Sequence, residues 1–285
     1  MSKQWFLESG RISDIAKSKL KFDELAKFHW QYYSELAYQR SKIREQLHAS
    51  LRERAEPFEF QKWQRTVKYK YSLDPLGMKG SLVDPGGRFN IGEIDPARYP
   101  AFPALYLAQT KGTALAEVLG RETTTNGLTP EELALTKSDS ITVVSVSGKL
   151  EFVFDVRNRN NLSGFINLVK DFKFSKALIV RSHMVGFPLE LTRTVNQLGD
   201  VMEHRSWRRG PTLYDVPAVS QIFGAIAMDA GIEGLLYKSA ITSDPCLVVF
   251  PQTFLNSSAW IQLDDPVPSP EVLVRIDSTN FNAFV

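Results

Sequence analysis

Residues 215–250, DVPAVSQIFGAIAMDAGIEGLLYKSAITSDPCLVVF, decide the fold class. Asp215 is placed to cap a helix and Pro217 suits its first turn, where a missing backbone N–H costs nothing. The apolar run that follows predicts a helix over 216–230. Gly234–Tyr237 and Cys246–Phe250 are then two short apolar runs that read as strands with no helix between them. Strands that do not alternate with helices are foreign to a doubly wound sheet, so the chain is expected to be α+β.

Toward the C-terminus, Trp260–Leu263 and Val272–Ile276 read as further strands. Toward the N-terminus the pattern predicts helices near 189–204 and 163–172, strands near 150–156 and 140–147, a helix from Thr113 to Leu119 ended by Gly120, and a buried strand over Ala104–Ala108. Residues 74–103 carry Asp74-Pro75, Asp84-Pro85-Gly86-Gly87, Asp95-Pro96, Pro100 and Pro103, too irregular for long elements, and a loop of that length is usually functional or disordered. Trp63, Arg65, Val67, Tyr69 and Tyr71 alternate with polar residues in a strand-like period of two. Residues 12–56 contain no glycine or proline, and Leu25, Phe28, Tyr32, Leu36, Ile43, Leu47 and Leu51 recur at helical spacing up to a stop near Pro57. Three parts are therefore expected: a helical extension over 1–60, a core domain over 61–265, and a strand and tail over 266–285.

Charge narrows the function classes. Lys and Arg number 34 against 32 Asp and Glu, a net charge of +2, so no global field holds the chain on nucleic acid or an anionic membrane. Eleven basic and nine acidic residues lie in 1–60, which leaves the rest neutral, and any anionic ligand must be held by local arginines. One cysteine, Cys246, cannot form an internal disulfide; it reads as a small buried hydrophobe in a reducing, cytoplasmic protein. The start of the chain lacks the apolar stretch of a signal peptide, and no run is long enough to span a bilayer. His29, His48, His183 and His204 have no ligand spacing, so no metal is expected. His204, Arg205, Arg208 and Arg209 read as a solvated basic surface.

The phosphate-loop, dinucleotide, hydrolase-elbow and zincin motifs are absent. What carries chemistry is a dispersed polar series: Arg65, then Gly86-Gly87-Arg88-Phe89-Asn90, Tyr106, Glu117 within Thr-Ala-Leu-Ala-Glu-Val, and Ser239 within Lys-Ser-Ala. A double glycine lets backbone amides approach an anion, and an adjacent guanidinium matches phosphate oxygens. Glu117 sits in an otherwise apolar helix, where a carboxylate either faces water or has a role.

These residues, in this order from Trp63 to Leu263, resemble the RES domain, a family of bacterial toxins from toxin–antitoxin pairs. Gln221-Ile-Phe-Gly-Ala, Gly231-Ile-Glu-Gly, Lys-Ser-Ala and Leu-Val-Val-Phe-Pro extend the likeness. Phe89 departs from it where the family often has tryptophan, and Lys238 where a proline often precedes the serine.

The resemblance implies an ADP-ribosyltransferase-like split β-sheet core with flanking helices and a cleft for NAD. It implies hydrolysis or phosphorolysis of the nicotinamide–ribose bond, depleting cellular NAD. Protein ADP-ribosylation at the same site and a non-catalytic helical interaction module are the alternatives. Carried over by position, Arg65 and Arg88 contact the NAD phosphates, Gly87 and Asn90 belong to the binding loop, and Tyr106 orients the nicotinamide ribose. Glu117 is the family glutamate, expected to be catalytic together with Tyr106 and Arg65, and Ser239 is the family serine, expected to bind the ligand. Tyr69 or Tyr71 supplies an aromatic wall, with Tyr71 taken as the binding residue. A protein antitoxin blocking the cleft is the implied partner, and self-association through the N-terminal helices is a further expectation.

Overall fold

A computed structural model describes residues 12–68, 71–119, 141–267 and 269–285. Helices α1 (Ile12–Lys42) and α2 (Arg44–Arg52) precede strand β1 (Glu56–Lys68), a short helix α3 (Lys79–Leu82), strands β2 (Gly86–Gly87), β3 (Asn90–Ile91) and β4 (Leu105–Ala108), and helix α4 (Lys111–Leu119). Strand β5 (Ile141–Asp155) is followed by helices α5 (Ser163–Val169), α6 (Lys176–Val185), α7 (Val195–Glu203), α8 (Arg209–Tyr214) and α9 (Val219–Asp229). Strands β6 (Gly234–Lys238), β7 (Pro245–Val249), β8 (Trp260–Leu263) and β9 (Arg275–Asp277) complete an α+β fold.

Seven strands form one sheet in the order β1-β4-β7-β6-β5-β8-β9, and β1 also pairs with β5. β5 is the hub. One edge runs antiparallel to β1 from Lys68↔Ile141 to Glu56↔Val153. The other edge first takes β8, antiparallel over residues 146–149, and then β6, parallel over residues 153–155. From β6 the sheet continues antiparallel through β7 to β4. β4 meets β1 at the single pair Gln64↔Ala108, so the two limbs part there and leave a cleft between β1 and β4.

Side-chain alternation along the strands separates two cores. Leu105, Leu107, Val146, Leu236, Leu247 and Val249 face one of them with Trp63, Phe254 and Phe284. Phe154, Leu235, Tyr237 and Val248 face the other, under α2, α5 and α9, with Leu47, Leu51, Phe165 and Phe223.

Several sequence expectations are corrected. The two strands expected over 140–147 and 150–156 are one strand: Gly148 is not a turn but a crossing point, where a Cβ would lie 2.7 Å from both the Phe60 ring and the Trp260 carbonyl oxygen. β1 begins at Glu56, so Pro57 lies inside it. The strand bulges where Lys62 takes a φ of 55°. It ends at Lys68; Tyr71 sits in a turn, while Tyr69 and Gly120 lie outside the described residues. Asp215 caps nothing at a helix N-terminus: it adopts a φ of 50° after α8, and the Gln221 side chain accepts from the Ala218 N–H at the start of α9 instead. α6 and α8 lack the strong periodicity that would predict them. The helix expected over 189–204 starts only at Val195, behind a capping box of Thr194 and Gln197.

The boundary expected at residue 60 falls within β1, and α2 is built into the same core as Phe154 and Phe223. Periodicity shows an apolar stripe but not the surface it meets. α1 lies over α6 and its flanks. Gln31 accepts from Arg181, Glu35 from the Ser175 hydroxyl and amide, and Gln39 from the Lys173 amide, while the Tyr32 hydroxyl donates to the Glu190 carbonyl. Among the described residues, no helix is long and apolar enough to cross a membrane.

Candidate active cleft

The glycine-rich stretch folds as a tight β2–β3 hairpin with Arg88 and Phe89 at its tip. Gly86 takes a φ of 90°, which favours glycine. Asn90 lies fully buried beneath the hairpin. Its Oδ1 accepts from the Gly87 N–H and the Tyr106 hydroxyl, both at 2.9 Å. Its Nδ2 donates to the carbonyls of Ser81 and Phe102 at 2.7 and 2.9 Å. The Tyr106 hydroxyl also accepts from the Phe89 N–H at 3.0 Å, and burial pushes its pKa up, so it stays a phenol. A Cβ on Gly87 would come within 2.3 Å of that hydroxyl.

From the other side, α9 braces the hairpin. Gln221 is wholly buried, and its Nε2 points at three carbonyl oxygens, Pro85 at 2.7 Å, Asn90 at 2.9 Å and Gly87 at 3.0 Å. Gly224 lets the helix come this close, because a Cβ there would lie 1.9 Å from the Phe89 oxygen.

The hairpin holds Arg88 where three distant segments meet. Arg88 is 7% exposed, its Nη2 stands 3.9 Å from Glu117 Oε2, and its guanidinium lies 5.8 Å from the centre of the Tyr237 ring. Its Nη1 donates to the Glu203 carbonyl at 3.4 Å. On α4, Glu117 accepts at Oε1 a 2.6 Å bond from Ser239 Oγ. Ser239, just past β6, accepts at Oγ from the amides of Ile241 and Thr242 at 3.1 and 3.2 Å. Those two amides occupy the hydroxyl's lone pairs and leave its proton directed at Glu117.

These side chains border a cleft of about 450 Å³ between β1 and β4, within the range of small-molecule sites. Arg65, Lys68, Lys79, Arg88 and Arg208 line it against Asp74 and Glu117, with Tyr71, Gly87, Tyr106 and Trp207 on its walls. The cleft is therefore cationic although the chain is nearly neutral.

Of the residues singled out from sequence, Arg65, Tyr71, Gly87, Arg88, Tyr106 and Glu117 line the cleft. Ser239 reaches it through Glu117, and Asn90 supports the loop from below. Arg65 is heavily committed: Nε donates to the Pro75 carbonyl at 2.9 Å, Nη2 to Gly77 at 2.6 Å and Nη1 to Tyr106 at 3.5 Å. Burial brings its pKa down to about 10, so it remains a cation at neutral pH. Tyr106 likewise can meet a ligand only with its ring, because its hydroxyl is occupied. Burial pushes the Cys246 thiol up to about 12, which suits a packed hydrophobe rather than a nucleophile.

Sequence reasoning passed over Gln221 as a loop brace and Trp207–Arg208 as a wall. A lone buried amide in the apolar run from Ala218 to Ala230 was the available signal for Gln221. His204, Arg205, Arg208 and Arg209 are exposed, as a solvated surface should be, yet Arg205 donates to the Ala240 carbonyl beside Ser239 at 2.6 Å and Arg208 faces the cleft. Among the described residues, no group of three or more His, Cys, Asp or Glu side chains could hold a metal ion.

The family model described as RES domain matches residues 165–267. That stretch contains Ser239, Gln221 and Gly224, whereas Arg88 and Glu117 lie before it and reach it through the fold. A solved chain of the M. tuberculosis MbcT–MbcA toxin–antitoxin complex is 18% identical, with 78% of this chain and 90% of that one covered at a TM-score of 0.40. No curated protein matches the chain.

Proposed function

We propose, for a chain whose residues 165–267 match the RES domain model, that the cleft binds NAD and breaks its nicotinamide–ribose bond, as a toxin-like enzyme depleting NAD in the cytoplasm. One observation carries this reading: Arg88 and Ser239, from two distant segments, converge on the Glu117 carboxylate at the edge of a cationic cleft.

The chemistry asks for little more. When the bond from the ribose C1 to the pyridinium nitrogen breaks, the electron pair leaves with nicotinamide, which becomes neutral, and positive charge develops on the sugar. A fixed carboxylate stabilises that charge without a strong nucleophile. Water then adds and releases a proton, giving ADP-ribose; phosphate in its place gives the phosphate ester. Glu117 is the residue set to face the sugar, and the Ser239 proton fixes which way its carboxylate points. Gly87 and Arg88 meet the diphosphate, Tyr71 and Tyr106 offer ring faces, and Asn90 acts by holding the hairpin. Arg65 acts by tying Pro75 and Gly77 to the cleft wall. No step calls for a metal. A protein antitoxin that covers the cleft is the partner this reading implies, and self-association through α1 is part of it.

The test is product analysis. Purified protein incubated with labelled NAD should release nicotinamide together with free ADP-ribose, or its phosphate ester when phosphate is supplied. Label on protein instead would make it an ADP-ribosyltransferase, and no nicotinamide release would remove both enzyme readings.

A further inference from the structure

The cleft holds an arginine that the RES likeness does not account for. Arg208, at the N-terminal edge of α8, lines the cleft and is exposed to solvent. Its guanidinium lies 4.4 Å from the centre of the Trp207 ring, and Trp207 is itself 8% exposed and part of the same wall. The contrast with Arg65 is chemical. All three guanidinium nitrogens of Arg65 are turned to backbone carbonyls, whereas the Arg208 guanidinium makes no hydrogen bond or ion pair among the described residues. It also stands close enough to Arg88 for the two charges to repel, which, after desolvation, lowers its pKa. The carboxylate near both, Glu117, already receives the Ser239 proton. Two neighbouring guanidiniums share one engaged carboxylate, an arrangement that an incoming anion relieves.

We propose that Arg208, paired with Arg88, binds the diphosphate of the substrate, and that Arg65 is a positioning residue that staples the cleft wall. This assignment rests on the NAD reading for the identity of the substrate, but not for the anion site itself. The wall is pre-organised from the far end of α8, where the Tyr214 ring stacks on His29 at 4.0 Å and on Phe22 at 5.9 Å. α1 thereby has a part in the site: it braces the helix that presents Arg208.

Inorganic pyrophosphate is the direct probe. Calorimetric titration of the full chain should show binding that Arg208→Gln weakens at least ~10-fold, as loss of a charge-assisted fork does. Arg208→Lys should recover part of it, and Arg209→Gln, outside the cleft, should leave it unchanged. An unaltered thermal midpoint in Arg208→Gln checks that the wall is intact. In turnover, Arg208→Gln should raise KM for NAD by a larger factor than it lowers kcat. Wild-type pyrophosphate affinity in Arg208→Gln, or no pyrophosphate binding by the wild type, overturns the assignment. Nicotinamide release with an unchanged KM defeats Arg208 alone; pyrophosphate binding through Arg208 without nicotinamide release defeats the NAD reading and leaves the anion site standing.

Discussion

Replacing Gln221 with leucine tests how the hairpin that carries Arg88 is held. The side chain is wholly buried, donates toward the carbonyls of Pro85, Gly87 and Asn90, and accepts from the Ala218 N–H. Leucine has nearly the same volume, so packing changes little and the loss is in hydrogen bonding. The Pro85 oxygen keeps a partner, the Gly92 N–H at 3.2 Å. Gly87 O keeps its place in the β2–β3 ladder, whereas Asn90 O and Ala218 N each lose a buried partner, and at 1–3 kcal/mol for a group left unsatisfied, less some recovery by water, Gln221→Leu should cost about 2–4 kcal/mol. Urea unfolding followed by circular dichroism gives the loss from the midpoint at constant m. Gln221→Glu sharpens the test, since a carboxylate keeps the acceptor for Ala218 but sets negative charge against three carbonyls. Its deficit should shrink as pH falls and the carboxyl regains a donor, whereas the leucine deficit should not change with pH. A loss under about 1 kcal/mol in Gln221→Leu, with m unchanged, would refute the idea that this amide holds the hairpin.

Other outcomes follow from the same geometry. Gly224→Ala places a methyl 1.9 Å from the Phe89 oxygen, so α9 must withdraw from the hairpin, and a cost of about 1–3 kcal/mol in denaturant with a larger loss of NAD turnover is expected; unchanged turnover would show that α9 need not press on the loop. Ser239→Ala removes both the proton directed at Glu117 and the acceptor for two turn amides, so kcat should fall about 10-fold or more with a stability loss of about 1–3 kcal/mol; a wild-type kcat would mean that Glu117 orients itself. His29 is held neutral by burial, its pKa down at about 4 against 6.5 for the free side chain. Above pH 6.5 neither state is protonated and nothing changes; as pH falls from 6.5 toward 4 the unfolded chain takes up the proton first, so stability drops, by about 2 kcal/mol at pH 5. Chemical denaturation at pH 7.5 and pH 5 of wild type and His29→Phe measures it, and equal acid sensitivity in the two proteins would place the effect elsewhere.

The sequence showed best what depends on local chemistry. Gly86–Asn90, Tyr106, Glu117 and Ser239 could be picked out because each is an unusual residue for its setting, and the structure brings Arg88, Glu117 and Ser239 together. The α+β class followed from Gly234–Tyr237 and Cys246–Phe250, which do pair as neighbours in β6 and β7. What escaped depends on contacts between distant segments. The strands over 140–147 and 150–156 looked separate because nothing local reveals the Phe60 ring that crosses Gly148. Asp215 looked like a cap because its left-handed backbone is set by how α8 ends. Arg65 and Arg208 are indistinguishable as letters; only the carbonyls of Pro75 and Gly77 show that one is occupied and the other available. Leu47 and Leu51 gave the stripe of α2 but not its place in the main core.

The central claim is that the Glu117 carboxylate, aimed by Ser239 and set beside Arg88, supports scission of the nicotinamide–ribose bond. Nicotinamide release from NAD by the wild type and by Glu117→Gln, measured side by side at equal folded concentration, tests it most directly. The neutral amide is nearly isosteric and can still accept from Ser239, so the fold should persist while release falls by about 10²- to 10³-fold, as expected when a charge that stabilises the transition state is removed. Wild-type release by Glu117→Gln, or no release by the wild type under saturating NAD, would contradict the account.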